Sequence, residues 1–457
     1  MTDTLMVGVS GVRGIVGKDL TPDIVRRWAA AFGRWAAARR PVVVIGRDSR
    51  KSGPELAGAA RSALAAAGCD VIDVGLVPTP TVQLAVMHHK AGGGIAVTAS
   101  HNPGEWNALK FIGPDGIFLD AVEGAAIRDM VGKDGEGRGG TGKPGKVISD
   151  TSAVERHLER VLTMPVIDVA RIREQRFRVA LDTVRGAGGV IMPLLLERLG
   201  CAVWGLELAT DGAFPRAPEP IPEHLGTLRA AVRKSGAALG IAVDPDVDRL
   251  ALVDEQGVAI GEDYTLAFAV RDVLAKGEEG RGKRAPVVCN LSTSLVVEDA
   301  AREYGAAVVR TPVGEVHVAR KMVELAAVIG GEGNGGVMYA PLHAGRDAPV
   351  AAALVLDLLA RNGGKVSDLV SAAPRYTIVK AKVARGPALD RVYGALRSRF
   401  ADGSVDTSDG LRLAWRDRWL HVRPSNTEPI IRLIAEAPTQ ALAQELVDEG
   451  QRLCAAS

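Results

Sequence analysis

Six short apolar runs, each leading straight into a polar or glycine-rich loop, recur along this chain. Pro41–Ile45 precedes Gly46-Arg47-Asp48-Ser49-Arg50, and Gly94–Val97 precedes Thr98-Ala99-Ser100-His101-Asn102-Pro103. Phe177–Leu181 leads into Asp182-Thr183-Val184-Arg185-Gly186, and Leu239–Val243 into Asp244-Pro245-Asp246-Val247-Asp248. Pro286–Cys289 is followed by Asn290-Leu291-Ser292-Thr293-Ser294, and Ala326–Ile329 by Gly330-Gly331-Glu332-Gly333-Asn334-Gly335-Gly336. Helical stretches such as Glu55–Ala67 separate the runs. Buried strands alternating with helices predict α/β units with mostly parallel pairing. Sheets of that kind place ligands at the carboxyl ends of their strands, where the polar loops recur.

The length, 457 residues, is too great for one core and predicts about three or four domains. Gly132–Lys146, with seven glycines in fifteen residues, reads as a surface loop or linker closing a first domain. Lys276–Arg284 reads as a similar exposed loop. Beyond about residue 372 the pattern changes. Strands are expected at Arg375–Ala384, Leu411–Ala414, Trp419–Val422 and Ile430–Ala435, with a helix over Thr439–Leu453, which describes a separate α+β domain. The expected division is 1–150, 151–254, 255–371 and 372–457.

Lys and Arg number 56 against 54 Asp and Glu, a net +2, and aromatics are 4% of the chain. Neither a polyanion-binding charge nor stacking platforms are present, which excludes nucleic acid as the main partner. No window approaches the roughly 18 uninterrupted apolar residues of a membrane span. The start, Met-Thr-Asp-Thr-Leu-Met-Val-Gly-Val-Ser, lacks a basic region followed by a long apolar one, so no signal peptide is expected. Cys69, Cys201, Cys289 and Cys454 are too scattered for a zinc knuckle or a redox pair and fit a cytoplasmic protein.

Four motifs carry chemistry. In Asp244-Pro245-Asp246-Val247-Asp248-Arg249, carboxylates at alternating positions can converge on a hard cation, Mg²⁺ or Ca²⁺, or form an acidic surface turn. An EF-hand would need Gly where Arg249 stands and a helix where Leu250–Val253 reads as a strand. A phosphatase of the haloacid-dehalogenase type would use Asp244 as nucleophile and Asp246 as acid, but Asp248 departs from its signature. In Thr98–Pro103, Ser100 is expected to lie exposed between a strand and a helix start, a place suited to phosphate, with Lys110 following. Gly331-Glu332-Gly333-Asn334-Gly335-Gly336 lets backbone approach a ligand while Glu332 and Asn334 bind hydroxyls. Arg423-Pro424-Ser425-Asn426-Thr427-Glu428-Pro429, followed by Arg432, is an anion cradle or a capped turn. Arg13 and Arg47 are weaker anion-site candidates.

In this order the motifs resemble the α-D-phosphohexomutase superfamily, whose members include phosphoglucomutase/phosphomannomutase and phosphoglucosamine mutase. The similarity runs almost end to end, through Ser10–Gly14, Thr98–Pro103, Asp244–Arg249, Thr311–Gly314, Gly331–Gly336 and Arg423–Pro429. The resemblance implies three α/β domains with mixed sheets and a smaller α+β C-terminal domain around a central cleft. It implies a phosphoryl group on Ser100 and one Mg²⁺ held by Asp244, Asp246, Asp248 and the serine phosphate. Arg13, Lys110 and Arg249 would lie near the reacting phosphate, and Glu332 and Asn334 in the sugar loop. Arg423, Ser425, Asn426 and Thr427, with Arg432, would hold the non-reacting phosphate. The implied reaction interconverts hexose 6- and 1-phosphates through a bisphosphate, with hexose 1,6-bisphosphate as activator, in a monomer or homodimer whose partner is a small sugar phosphate. Many bacterial members have Glu-x-Ser-Gly-His in the sugar loop, whereas here Asn334 and Gly336 replace the Ser and His. With Glu105-Trp106-Asn107-Ala108-Leu109-Lys110, this variant resembles the archaeal-type phosphoglucosamine mutase branch. Glucosamine phosphate is therefore the favoured sugar. Glucose or mannose phosphate, an Asp-nucleophile phosphatase and a non-catalytic sugar-phosphate sensor are the alternatives.

Overall fold

A computed structural model describes residues 5–133, 143–277, 285–384, 389–425 and 430–455. The first sheet has seven strands, in the order Met6–Val7, Gly11–Ile15, Trp106–Ile112, Gly93–Val97, Val42–Arg47, Asp70–Leu76, Val147–Ser149. Its last four strands are parallel and the others antiparallel, so the sheet is mixed. Helix Pro22–Ala37 begins where Thr21 Oγ1 accepts the Ile24 N–H, with Pro22 at the first helical position, where no amide donor is needed. It packs on the sheet through Phe32, whose ring stacks on Phe111 at 4.9 Å.

The second sheet runs Leu250–Val253, Leu239–Val243, Arg178–Asp182, Ala202–Leu206. The third runs Gly336–Tyr339, Ile329–Glu332, Val287–Asn290, Val308–Thr311. Each has three parallel strands and one antiparallel strand that folds back beside the last parallel one. Trp106–Ile112, Gly93–Val97, Val42–Arg47 and Asp70–Leu76 repeat that arrangement inside the first sheet. Three sheets therefore share one strand order, a kinship too faint to read in the residues themselves. The fourth sheet is wholly antiparallel, in the order Thr377–Ala384, Ile430–Ala437, Trp419–Pro424, Leu411–Ala414, Ser404–Asp406, with helices Leu389–Arg399 and Gln440–Ala455.

Of the two expected loops, one differs. Residues 134–142 lie outside the description, and Lys143–Lys146 run as a mostly exposed connection into the edge strand Val147–Ser149, where the Lys146 carbonyl accepts the Val71 N–H and its amide donates to Asp70. Lys276, placed in an exposed loop, instead turns inward to Asp357 and the Val166 carbonyl. Residues 278–284 of that loop lie outside the description.

The cores are not separate. One buried apolar cluster joins the second and third sheets, and another joins the first to the third through Val44, Val288, Val316 and Met338. Helix Ala348–Arg361 is buried on every side from Ala348 to Leu359, as an apolar segment must be when it lies inside rather than on a core. The fourth sheet has its own cluster and meets the third through polar contacts. Ser294 Oγ and the Leu295 N–H donate to Glu436, the Val313 N–H donates to Asp409, and Ser292 Oγ lies 2.8 Å from His421 Nδ1. Among the described residues no helix is long and apolar enough to cross a membrane.

His421 gives this seam a pH dependence. Its Nε2 donates to the Asp409 carbonyl at 2.7 Å, so Nδ1 accepts from Ser292 and the ring is neutral. Burial, reinforced by Arg423 and Arg412, pushes it down to about 4. The unfolded chain then takes up the proton first, so stability is full above pH ~6.5 and falls by roughly 3 kcal/mol as pH drops to ~4. Calorimetry from pH 7.5 to 4.5 is expected to show the fourth domain's transition falling over that window, and His421→Gln to remove most of the slope. An equal slope in the variant contradicts the assignment.

Candidate active site

Three of the sequence motifs occupy one topological position. Thr98–Glu105, Asp244–Arg249 and Gly333–Gly335 each join the last parallel strand of a sheet to the antiparallel strand beside it. Because the three sheets share a strand order, the three hairpin tips converge.

The acidic tip forms a tight knot. The Asp248 and Arg249 amides donate to Asp244 Oδ1 at 3.1 and 3.2 Å, and Val247 adopts a left-handed φ of 64°. That conformation is costly for a β-branched residue, and Val247 is held there by complete burial. The turn draws Asp244, Asp246 and Asp248 together until one oxygen of each lies within 4.8 Å of the others, all buried. Lys110 Nζ meets Asp246 Oδ2 at 2.7 Å and Asp248 Oδ2 at 3.6 Å, Thr79 Oγ1 donates to Asp246 Oδ2 at 2.7 Å, and Arg346 Nη2 meets Asp248 Oδ2 at 2.6 Å. Burial and the charges of Asp248 and Asp246 push the Asp244 carboxyl well above the usual range. Burial acts the same way on Asp246, but Lys110 and Thr79 outweigh it and hold that group far below. Asp246 Oδ1 and Asp248 Oδ1 are buried without a hydrogen-bond partner. Converging oxygen ligands and two orphaned lone-pair sites fit a hard divalent cation.

Ser100 faces this knot, its Oγ donating to Asp244 Oδ2 at 3.0 Å. It is neither exposed nor followed by a helix, contrary to the sequence expectation. The chain after it turns into the strand Trp106–Ile112, and Ser100 is 3% exposed at a left-handed φ of 51°. Polar Ser-His-Asn-Pro reads equally as a helix cap or a hairpin tip, and pairing with Gly93–Val97 selects the tip. The tip is held by Arg50, which was not singled out. Its guanidinium donates to the carbonyls of Ser100, Asn102, Pro103 and Trp106 at 2.6–3.0 Å and pairs with Asp48 at 3.0 Å. Asp48 also accepts from Thr98 Oγ1 at 2.7 Å. Arg47, the candidate in that turn, only reaches the Asp48 carbonyl, so it takes no part. His101 Nδ1 lies 3.4 Å from Ser100 Oγ, and burial with Arg249, Arg13 and Arg346 nearby holds its ring well below the usual range.

A cavity of about 270 Å³ opens over Ser100, lined by Arg13, Lys110, Arg249, Glu315 and Arg346 among others. Arg13 reaches it from strand Gly11–Ile15 and donates to Asn102 Oδ1 at 2.6 Å. Arg249 lies 3.0 Å from Glu219 and 3.7 Å from Asp248. Four cationic side chains around one serine make a site for a dianion.

The glycine-rich tip differs from expectation in its strand, which spans Ile329–Glu332 rather than beginning at Ala326. Ala326 takes a left-handed φ of 50° and terminates helix Glu315–Leu325, a role with no sequence mark at an alanine. Glu332 is consequently fixed on a strand end. It accepts from Asn290 Nδ2 at 2.8 Å, the Gly314 N–H at 3.0 Å and Arg346 Nη1 at 2.7 Å. Asn334 Nδ2 lies 3.5 Å from Glu332, and its Oδ1 accepts the Gly336 N–H at 3.2 Å.

The fourth motif stands apart from this cavity. Arg423 lies 3.1 Å from Asp409, the Ser425 N–H donates to the Ile430 carbonyl, and Arg432 sits opposite Arg423 on the neighbouring strand. None of the three lines the cavity over Ser100. Asn426 and Thr427 lie outside the described residues. Asp409 joins Arg423 to Val313, whose neighbour Gly314 donates to Glu332. Glu315 and Arg346 were also missed. Burial pushes Glu315 up to about 7 against the pull of Arg346. Only an isolated Arg-Asp before an unbroken apolar helix hinted at Arg346.

Four family models match in succession: phosphoglucomutase/phosphomannomutase alpha/beta/alpha domain I over residues 4–138, domain II over 155–257, domain III over 261–376 and the C-terminal domain over 378–451. The chain is 37% identical to a phosphoglucomutase/phosphomannomutase of Thermococcus kodakarensis over 98% of both chains. It is 38% identical to a probable phosphoglucosamine mutase of Methanopyrus kandleri over 97% of this chain and 96% of the relative. A crystal structure of a phosphoglucomutase/phosphomannomutase family protein from Burkholderia thailandensis superposes with a TM-score of 0.86 at 29% identity, covering 100% of this chain and 98% of the other.

The Arg50 brace is directly testable. Arg50→Met strips the buried Asp48 of its partner and frees four carbonyls, at an expected cost of about 3–5 kcal/mol. Chemical denaturation reads the loss, and limited proteolysis is expected to cut within Thr98–Glu105 in the variant only. Unchanged stability and protection show that the tip holds itself.

Proposed function

The chain belongs to the phosphoglucomutase/phosphomannomutase family of the α-D-phosphohexomutase superfamily, and on that premise we propose that it interconverts hexose 6- and 1-phosphates through a phosphoserine at Ser100, with glucosamine phosphate as the favoured sugar. The observation that carries the reading is the placement of Ser100 Oγ 3.0 Å from Asp244 Oδ2, under a cavity ringed by Arg13, Lys110, Arg249 and Arg346.

Asp244, Asp246 and Asp248, with the Ser100 phosphate, would hold Mg²⁺, which supplies charge neutralisation at the phosphoryl group. The protein's own part is positioning and electrostatics, the main requirements of phosphoryl transfer. Lys110, Arg13 and Arg249 hold the serine phosphate and offset charge as it spreads over the phosphoryl oxygens. Glu332 and Asn334 orient the sugar through its hydroxyls. Arg423, Ser425, Asn426, Thr427 and Arg432 hold the non-reacting phosphate, with Arg423 exchanging Asp409 for that anion as the fourth domain closes. The P–O bond to Ser100 breaks as one forms to the sugar oxygen. The bisphosphate then turns over, and its other phosphoryl group returns to Ser100. Added hexose 1,6-bisphosphate would activate by loading Ser100.

A phosphatase using Asp244 fits less well. Asp246, which would have to be the proton-donating acid, is held far below the usual carboxyl range by Lys110 and Thr79. A Ca²⁺ module of the EF-hand type is incompatible with the strand Leu250–Val253 that follows the acidic turn.

Coupled assays with glucosamine, glucose and mannose phosphates and a trace of bisphosphate are expected to show interconversion, fastest with glucosamine phosphate. Ser100→Ala is expected to lose about a thousandfold or more in kcat with an unchanged circular dichroism spectrum. Net phosphate release that survives in Ser100→Ala would favour the phosphatase.

A further inference from the structure

Gly336 and Arg346 occupy each other's space. A Cβ placed on Gly336 would lie 2.2 Å from Arg346 Cδ and 3.0 Å from its Cγ, so the glycine is what admits the arginine. Gly336 is not in a left-handed conformation, so its backbone does not explain the absence of a side chain. Arg346 passes over it into the cavity and divides its donors among three carboxylates from different elements. Nε meets Glu315 Oε2 at 3.1 Å, Nη1 meets Glu332 Oε2 at 2.7 Å, and Nη2 meets Asp248 Oδ2 at 2.6 Å. Its backbone is equally fixed, since its N–H donates to Glu315 Oε1 at 3.2 Å and the next residue, Asp347, caps helix Ala348–Arg361. The guanidinium is nearly sealed, with its side chain 8% exposed.

We infer that Arg346 is a positioning residue for the reaction, holding the sugar loop through Glu332 while acting as the built-in counterion of Asp248, in space that Gly336 leaves open. Two opposite consequences follow from one side chain. Toward Glu332 the guanidinium orients Oε2 while Asn290 and Gly314 hold Oε1, and its loss leaves free the one oxygen of a carboxylate that has to meet sugar hydroxyls in a set direction. Toward Asp248 it is a positive charge in contact with a cation-binding group, and its loss raises the negative potential at the acidic knot. A residue that merely supported the fold would weaken both functions together.

The inference rests on the reading of Asp244, Asp246 and Asp248 as a divalent-cation site, and the experiment separates the two. Magnesium chloride is titrated calorimetrically into wild type, Asp246→Asn, Arg346→Met, Arg346→Lys and Gly336→Ala, and KM and kcat are measured with the preferred sugar phosphate. Arg346→Met is expected to bind Mg²⁺ about three- to tenfold more tightly than wild type, while KM rises about tenfold or more. Arg346→Lys keeps the charge without the fork, so Mg²⁺ affinity stays within about twofold while KM rises. Gly336→Ala displaces the guanidinium without removing it and is expected to raise KM as well. Weaker Mg²⁺ binding in Arg346→Met, or an unchanged KM in it, overturns the inference alone. If Arg346→Met does not fold, an unchanged KM in Gly336→Ala overturns it. A wild type that binds no Mg²⁺, or binds it no better than Asp246→Asn, overturns the cation site and the inference with it.

Discussion

Like charges forced together out of water set the terms for everything around them. Asp244, Asp246 and Asp248 share one buried knot, and such a group persists only where opposite charge or protons offset the repulsion. The chain meets that demand from afar. Lys110 arrives from the first sheet and Arg346 from the third, while the knot belongs to the second. The knot thereby ties the second domain electrostatically to the first and the third. The same cations that quiet the carboxylates line the space over Ser100, so the electrostatic solution for the fold also builds an anion site.

Repetition of one strand order explains how residues so far apart in sequence meet. Each of the three sheets ends its parallel portion in a hairpin, and each hairpin carries a different chemical element: a hydroxyl, three carboxylates, or a glycine-rich tip with Glu332. Equivalent positions in related sheets face a common centre. Function is divided among them without any one sheet departing from its standard form.

The parts legible in the sequence were those written locally. Apolar runs marked the strands, and Leu239–Val243 was read to the residue because nothing in it competes with a buried strand. The acidic and glycine-rich motifs were legible because their spacing is their geometry. What escaped depended on distant neighbours. The segment after Ser100 became a strand because Gly93–Val97 was there to pair with it, and Ala326 took a conformation its residue type does not advertise. Neither Arg50 nor Arg346 is marked by its sequence neighbours, and their importance comes from carbonyls and carboxylates that only the fold collects. The fourth motif reads as an anion cradle or a capped turn, and its Arg423 is occupied by Asp409, a partner fourteen residues upstream that no motif indicates.

The seams between the domains are of two kinds. Those among the first three sheets are apolar and continuous, and parting them would expose oily surface to water. The seam to the fourth is made of hydroxyls, an imidazole and carboxylates, groups that water can satisfy nearly as well when they separate. The first three domains are therefore held to one another by buried apolar surface, and the fourth is docked on them through named polar contacts. Acid thus reaches the mooring of the fourth domain through His421, while the oily joints among the other three owe nothing to protons.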